Sequence, residues 1–256
     1  MVKGLYTAYT GMVHEQYRLD VVSNNLANAT TTGYKAEGCT TQSFDEMYGI
    51  KTKDATVGHR NQYIGDLSLG AKIGETYRDW SQGSFESTES DYDFALSGQG
   101  FFSISFTSKT GETSTMYTRD GSFQMDKDGY LLTKDGDFVL GESGIIQIPT
   151  DVKQLSVDET GAIYADNQYI DTFALVDFED YDYLEMYGEN LYIATDGATE
   201  TEAECSVIQG YLEASNINVV SEMVNMITIA REFESGQKVM TTIDDMLSKM
   251  VTIGEL

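Results

Sequence analysis

Basic residues, cysteine, histidine and proline are all scarce in this sequence, and each scarcity removes a class of function. Lys and Arg total 16 against 42 Asp and Glu, leaving a formal net charge of -26. A surface of that sign repels phosphate backbones and anionic lipid, so neither nucleic acid nor membrane insertion is expected. The same self-repulsion favours a soluble monomer and has to be managed wherever copies pack together. Two cysteines, Cys39 and Cys205, are too few for a disulfide scaffold and lack metal-ligand spacing. The two histidines, His14 on a predicted helix and His59 in a predicted linker, have no nucleophile motif beside them. No apolar run approaches bilayer-spanning length. The first ten residues lack the apolar stretch of a secretory signal, which by the usual rules points to the cytosol. There is no phosphate-cradling glycine loop and no basic aromatic patch. The one proline, Pro149, falls at a predicted strand end, where its missing N–H does no harm.

What is present is the composition of a folded protein. At 256 residues, 41% apolar and 11% aromatic, the chain can bury a real core, as one large domain or two smaller ones.

Periodicity divides it into three kinds of region. From about Gly4 to Asn28 the residues Leu5, Tyr9, Met12, Gln16, Leu19, Ser23 and Leu26 step by four and three, the spacing of a coiled-coil seam. Val2, Tyr6, Val13 and Tyr17 make a weaker stripe beside it. Gln16 and Ser23 dilute the seam, so this helix alone is marginal in water. From about Ile217 to Val251 a second helix is predicted, with Met223, Met226, Ala230, Phe233, Gln237, Met240, Asp244 and Leu247 in one heptad-spaced stripe. Val220, Val224 and Ile227, then Val239, Ile243, Met246 and Met250, extend its apolar girth well beyond the single face of a surface helix. Such a helix is expected to touch neighbours on two or more sides.

Between the helices, Asp120-Gly121, Asp128-Gly129 and Asp135-Gly136 predict tight two-residue hairpin turns. Short strands are expected at 101–106, 122–125, 130–133, 138–140, 145–148, 162–165 and 172–177. The partition is therefore residues 1–37 as an N-terminal assembly helix with an Asn-rich end, 38–64 as a linker without clean period, 65–208 as a β domain, and 209–256 as a C-terminal assembly helix. The fold class is α+β, with the terminal helices paired in a coiled-coil-like bundle and a central, mostly antiparallel β domain. Cys39 follows one helix and Cys205 precedes the other. Antiparallel helix pairing would bring the two thiols near each other, and two unrelated free thiols are the alternative.

Three asparagines in five residues, at Asn24, Asn25 and Asn28, suit a helix end, and Gly33 then permits a sharp exit. The whole string from Ser23 to Lys35, Ser-Asn-Asn-Leu-Ala-Asn-Ala-Thr-Thr-Thr-Gly-Tyr-Lys, closely resembles the N-terminal signature of the flagellar rod and hook proteins. At the other end Gln209–Val220, followed by Glu222–Ile227, is similar to the C-terminal signature of the same family. Leu96–Phe102, Tyr117–Phe123 and Gly188–Tyr192 resemble parts of its β domain. The matches occur in order over nearly the whole chain.

The resemblance implies a non-enzymatic axial protein of the proximal or distal rod type, with no cofactor and no bound metal. Its terminal helices would line a helical tube that transmits torque from motor to hook. The partners it implies are further copies, other rod and hook subunits, and the flagellar export apparatus, which carries the chain out without a cleaved signal peptide. The residues expected at the assembly interface are Leu5, Tyr9, Met12, Leu19, Asn24, Asn25, Leu26, Asn28 and Gly33 in the first arm. In the second they are Tyr211, Asn216, Val220, Met223, Val224, Met226, Ile227, Phe233, Met240 and Leu247. Two departures from the family pattern occur. Residues 230–236 read Ala-Arg-Glu-Phe-Glu-Ser-Gly where an aromatic-rich, Asn-containing sequence is more usual, and Gly236 costs the helix about 1 kcal/mol of propensity.

Other chemistries read less well. Asp126-Lys127-Asp128-Gly129 mimics the centre of an EF-hand, but its first and twelfth positions would be Gln124 and Asp135, and its flanks are strand-like. Asp177, Glu179, Asp180 and Asp182, interleaved with Phe178, Tyr181 and Tyr183, resemble a sugar-binding rim. A solvated acidic loop with aromatic anchors is the plainer reading. The alternative function is thus a secreted carbohydrate-binding or hydrolytic β domain with oligomerising helices.

Overall fold

The structure, a computed structural model, describes residues 2–51, 62–107, 113–152, 154–188 and 190–254; His59 lies outside them. It is α+β, with one helix at each end and antiparallel strands between. The chain divides into two compact units, one of residues 1–26, 37–78 and 218–256, the other of residues 27–36 and 79–217.

The first unit, the arm unit, holds helix α1 (Val2–Ala27, all but its last residue), strands β1 (Glu37–Ser43), β2 (Met47–Lys51), β3 (Gln62–Leu67) and β4 (Ala71–Arg78), and helix α2 (Val219–Gly254). The described residues of the segment that reads without a period are thus largely strand. β1 pairs antiparallel with β4 from Glu37↔Arg78 to Ser43↔Ala71, and β2 pairs with β3. α2 begins on a side-chain cap: Asn218 Oδ1 accepts the N–H of Ser221 at 3.2 Å.

The helices run antiparallel alongside each other. Arg18 reaches Glu232 at 3.4 Å, and a Cβ added at Gly236 would stand 2.7 Å from Met12 Cγ. The residue that weakens the helix by propensity is also one whose missing side chain makes room for α1. The covered rows differ from the predicted seams. On α1 it is Leu5, Ala8, Met12, Glu15, Leu19, Val22 and Leu26, with Tyr9, Gln16 and Ser23 exposed. On α2 it is Met226, Ile229, Phe233, Gly236, Met240, Ile243 and Leu247, with Met223, Gln237 and Asp244 exposed.

The second unit is the β unit. Its main sheet runs in the order Leu184–Tyr187, Leu191–Ala194, Thr113–Thr118, Phe101–Thr107, Phe138–Gly141, Leu131–Leu132, Gln124–Met125, each pair antiparallel. A three-stranded sheet of Leu155–Val157, Ala162–Ala165 and Gln168–Thr172 stands apart from that path, and Phe94–Gly98 pairs with Cys205–Gln209. Phe94, Phe102, Phe123 and Phe173 pack edge-on and tilted around one apolar core. Phe101, Tyr117, Phe178 and Tyr192 form a second, closed by Trp80.

The turns differ from expectation in an instructive way. At 126–130 and 133–137 only the glycines take positive φ, 84° and 94°, and each loop, 127–129 and 134–136, holds three residues instead of two. Asp120-Gly121 makes no hairpin: Gly121 has no positive φ, and a Cβ there would strike the Phe94 carbonyl. The two-residue turn with both φ positive is Asp166-Asn167, at 47° and 66°, joining Ala165 to Gln168.

Candidate assembly interface

The Asn-rich signature ends inside the β unit, and Gly33 is where it turns. With φ at 69°, its missing side chain leaves room for the backbone of Asp120, whose N would lie 2.6 Å from a Cβ. The Gly33 N–H donates to the Glu213 carbonyl at 2.8 Å, tying the signature to the strand Tyr211–Glu213.

Lys35, two residues on, is buried with its charge. Its Nζ donates to Glu213 Oε1 at 2.6 Å and to the Ser81 carbonyl at 2.8 Å. Glu213 Oε1 also accepts the Gly83 N–H at 2.9 Å, while Oε2 faces Arg119 Nη1 at 3.4 Å. The Arg119 guanidinium in turn lies 5.2 Å from the centre of the Phe101 ring. Burial pulls the Lys35 ammonium below its ordinary pKa, and the Glu213 carboxylate opposes that pull. Such a cluster is tolerable only because almost every partner is in place.

Asn216 completes the clasp. Its Oδ1 accepts the Ala36 N–H at 2.8 Å, and its Nδ2 donates to the Asp79 carbonyl at 2.8 Å and to Ser81 Oγ at 3.1 Å. One carboxamide therefore satisfies backbone groups from two other chain passages. The arrangement holds the chain; every charge in it is enclosed, so it presents no reactive group to solvent.

Within the arm unit, Asn25 does an equivalent job. Its Nδ2 donates to the Glu37 carbonyl at 2.8 Å and its Oδ1 accepts the Glu37 N–H at 3.0 Å. The amide imitates a strand partner and pins the start of β1 to α1. His14, also buried, lies 3.0 Å from Thr41 Oγ1 through Nε2 and 3.3 Å from Glu15 Oε1 through Nδ1. Glu15 is held from its other side by Arg18 at 2.9 Å.

The residues expected at the interface fall into three groups. Asn25 and Gly33 are buried. Leu5, Met12, Leu19, Leu26, Asn28, Asn216, Met226, Phe233, Met240 and Leu247 are half-buried. Asn28 accepts from Thr31 Oγ1 at 3.3 Å. Tyr9, Asn24, Tyr211, Val220, Met223, Val224 and Ile227 are exposed, Val220 to 73%. Tyr6, Val13 and Tyr17 continue the exposed row on α1, and Val239, Met246, Met250 and Ile253 do so on α2.

Sequence reasoning gave Lys35, Glu213 and Arg119 no role, although all three lie inside the recognised strings. No local signal marked them as a cluster: Glu37 stands two residues from Lys35 and Asp120 directly follows Arg119. The acidic-aromatic segment turns part of itself inward: Tyr181 lies 5.0 Å from Trp80 and donates to Asp177 at 2.7 Å. Asp126–Gly129 is a hairpin turn. Both cysteines are free thiols, and burial raises both pKa values. Among the described residues no helix is long and apolar enough to cross a membrane.

Three family models match the chain in order. Residues 5–35 match the flagella basal body rod protein model, residues 95–165 the flagellar hook protein FlgE/F/G D1 domain, and residues 208–253 the flagellar basal body rod FlgEFG protein C-terminal model. The flagellar basal-body rod protein FlgG of Buchnera aphidicola subsp. Schizaphis graminum is 32% identical over 266 residues, covering 98% of this chain and 99% of the relative. FlgG of Bacillus subtilis is 32% identical over 269 residues, covering 99% of both. The flagellar basal-body rod protein FlgF of Caulobacter vibrioides is 31% identical over 242 residues, covering 94% of this chain and 93% of the relative.

Proposed function

The chain belongs to the flagellar basal-body rod protein family, and from that premise we propose how it serves as a structural subunit of the rod. Copies pack through the two terminal arms, whose helices pair as a coiled-coil-like bundle in the wall of a helical tube. The tube passes torque from motor to hook, with other rod and hook proteins as its axial neighbours. The subunit reaches its place through the flagellar export apparatus without a cleaved signal peptide, and it turns over no substrate.

The observation that supports assembly through the arms is the apolar surface a single copy leaves in water. On α2, Val220, Met223, Val224 and Ile227 form one exposed face, and on α1 Tyr6, Tyr9, Val13 and Tyr17 form another. Contiguous apolar faces of that kind on a soluble chain mark contact surfaces. Enclosure of the charged clasp fits the same role, since it fixes residues 33–36 within the β unit without offering chemistry.

Electron microscopy of basal bodies from a strain lacking this chain tests the reading. Bodies that stop within or before the rod and carry no hook are expected. Intact rods and hooks in that strain would overturn it.

A further inference from the structure

Aspartate is followed by glycine four times in the chain, at 120–121, 128–129, 135–136 and 196–197, and all four pairs belong to the β unit. In such a pair the backbone can react with its own side chain. The glycine nitrogen attacks the aspartate Cγ, the carboxyl loses one oxygen as water, and a five-membered succinimide closes. Water then opens the ring at one carbonyl to restore aspartate, or at the other to leave isoaspartate, whose main chain runs through Cβ and Cγ. The water lost is regained, so nothing is oxidised or reduced and no further reactant is needed. The reaction requires a glycine N–H without an acceptor, a carboxyl free to swing over it, and solvent. Glycine places no Cβ in the way.

Three of the four pairs fail one of those conditions. Gly129 N–H donates to the Asp126 carbonyl at 3.0 Å, and Gly136 N–H to the Thr133 carbonyl at 3.1 Å. The Asp120 carboxylate is pinned: Oδ1 accepts Ser122 N–H at 3.0 Å and Ser122 Oγ at 2.6 Å, and Oδ2 accepts Asn190 Nδ2 at 2.9 Å. Gly121 beside it is buried.

Asp196 and Gly197 are the exposed centre of a turn that Ala198 N–H closes on the Thr195 carbonyl at 3.1 Å, with Gly197 at a φ of 118°. That closing bond uses the N–H after Gly197 and leaves the glycine's own N–H outside it. Among the described residues neither Gly197 N–H nor the Asp196 carboxylate has a hydrogen-bond partner. We propose that Asp196-Gly197 is the isoaspartate site of this chain, the bond at which the β unit modifies itself with age. The site goes beyond the rod-subunit reading and does not depend on it.

The turn has structural consequences. Thr195 donates to the Tyr183 carbonyl through N–H at 2.9 Å and Oγ1 at 2.8 Å, the Tyr183 ring would stand 3.2 Å from a Cβ at Gly197, and Ala198 packs on the second apolar core. One extra main-chain atom between Thr195 and Ala198 would pull these contacts apart.

Purified full-length chain aged for weeks in neutral buffer tests the site. Isoaspartate is read in its peptides by resistance to a protease that cuts before aspartate, and by methyl transfer from S-adenosylmethionine with an isoaspartyl methyltransferase. Position 196 should accumulate it several-fold faster than 135, whose glycine must first give up a hydrogen bond, and faster still than 128 or 120. In denaturant the four rates should converge. Asp196→Glu, which keeps the charge on an exposed turn, should abolish the signal there and leave the other three unchanged. Equal or faster reaction at 135 or 128 in the folded chain would overturn the site. So would an unchanged order of rates in denaturant, because the selection would then not come from the fold.

Discussion

The β unit and the arm unit are made from one chain by opposite rules. Among the described residues, Val21, Val22, Ile229 and Ile243 are the only buried apolar side chains of the arm unit; all the others belong to the β unit. Exposed large apolar residues are distributed the other way, concentrated on α1, α2 and the strands beside them. Charge follows the same division. Of the 42 acidic residues 28 lie in the β unit against six basic ones, whereas the arm unit has 14 against ten. The β unit is a finished core wrapped in repulsive charge. The arm unit is close to neutral and apolar on its outside. On the rod-subunit reading proposed above, confining the repulsion to the β unit leaves the arms as the part on which copies of a very acidic chain can pack.

The comparison breaks most visibly at the clasp. Glu213→Ala would leave Lys35 and Arg119 enclosed without their counter-charge, and should cost the β unit about 3–5 kcal/mol in chemical denaturation. A loss below 1 kcal/mol would mean that the cluster is solvated and the core less finished than it looks.

Alkaline pH should act on the β unit next. Tyr117 donates to Glu200 and Tyr181 to Asp177, and burial followed by those carboxylates raises both phenol pKa values above the ordinary 10.0. Above pH 10 the unfolded chain releases these protons while the folded chain keeps them. Stability is therefore full below about pH 10 and falls as pH rises. Denaturation midpoints measured across pH 9–11 should show that decline, and Tyr117→Phe should flatten it.

Gly236→Ala sets about 1 kcal/mol of helix propensity against a Cβ 2.7 Å from Met12 Cγ. Because the Met side chain can shift, the net change should stay within about 1 kcal/mol, and thermal melts would show it. Smallest of all for the monomer is Val224→Asp. On an exposed helix face it should move stability by no more than about 0.5 kcal/mol, yet sedimentation should show association lost. Loss of stability together with assembly would blur the division between the units. Hydrogen exchange in the free monomer would sharpen it, with α1 and α2 expected to exchange well ahead of the sheet at 101–107.

The helices show how far sequence reasoning carries. On α1 the predicted and observed rows share Leu5, Met12, Leu19 and Leu26, and on α2 they share Met226, Phe233, Met240 and Leu247. They part at the alternate positions, where one residue separates Tyr9 from Ala8, Ser23 from Val22, and Met223 from Glu222. A seven-residue repeat divides as four then three or as three then four, and only the facing surface selects between them. Tyr9 and Met223 were the more apolar choices, yet both are exposed. The glycines teach a similar lesson: Asp-Gly marks a turn at 128–129 and 135–136, but Gly121 is required by a carbonyl that approaches from Phe94, far off in sequence. Enclosed ions at Lys35, Glu213 and Arg119 were illegible for the same reason. Nothing local distinguishes a charge that meets its counter-charge 178 residues away from one that meets water.

The chain passes between the two units four times, after Leu26, Ala36, Arg78 and Ile217. Neither unit is therefore a portable module. An expression fragment trimmed to begin after Ala36 would discard Gly33, Tyr34 and Lys35 and open the floor of the β unit around Glu213. One trimmed to end before Asn216 would release the amide that joins Ala36 to Asp79. Dissection of this protein by deletion is bound to injure both halves at once, and only point substitutions on the outward faces can separate the loss of a contact from the loss of a fold.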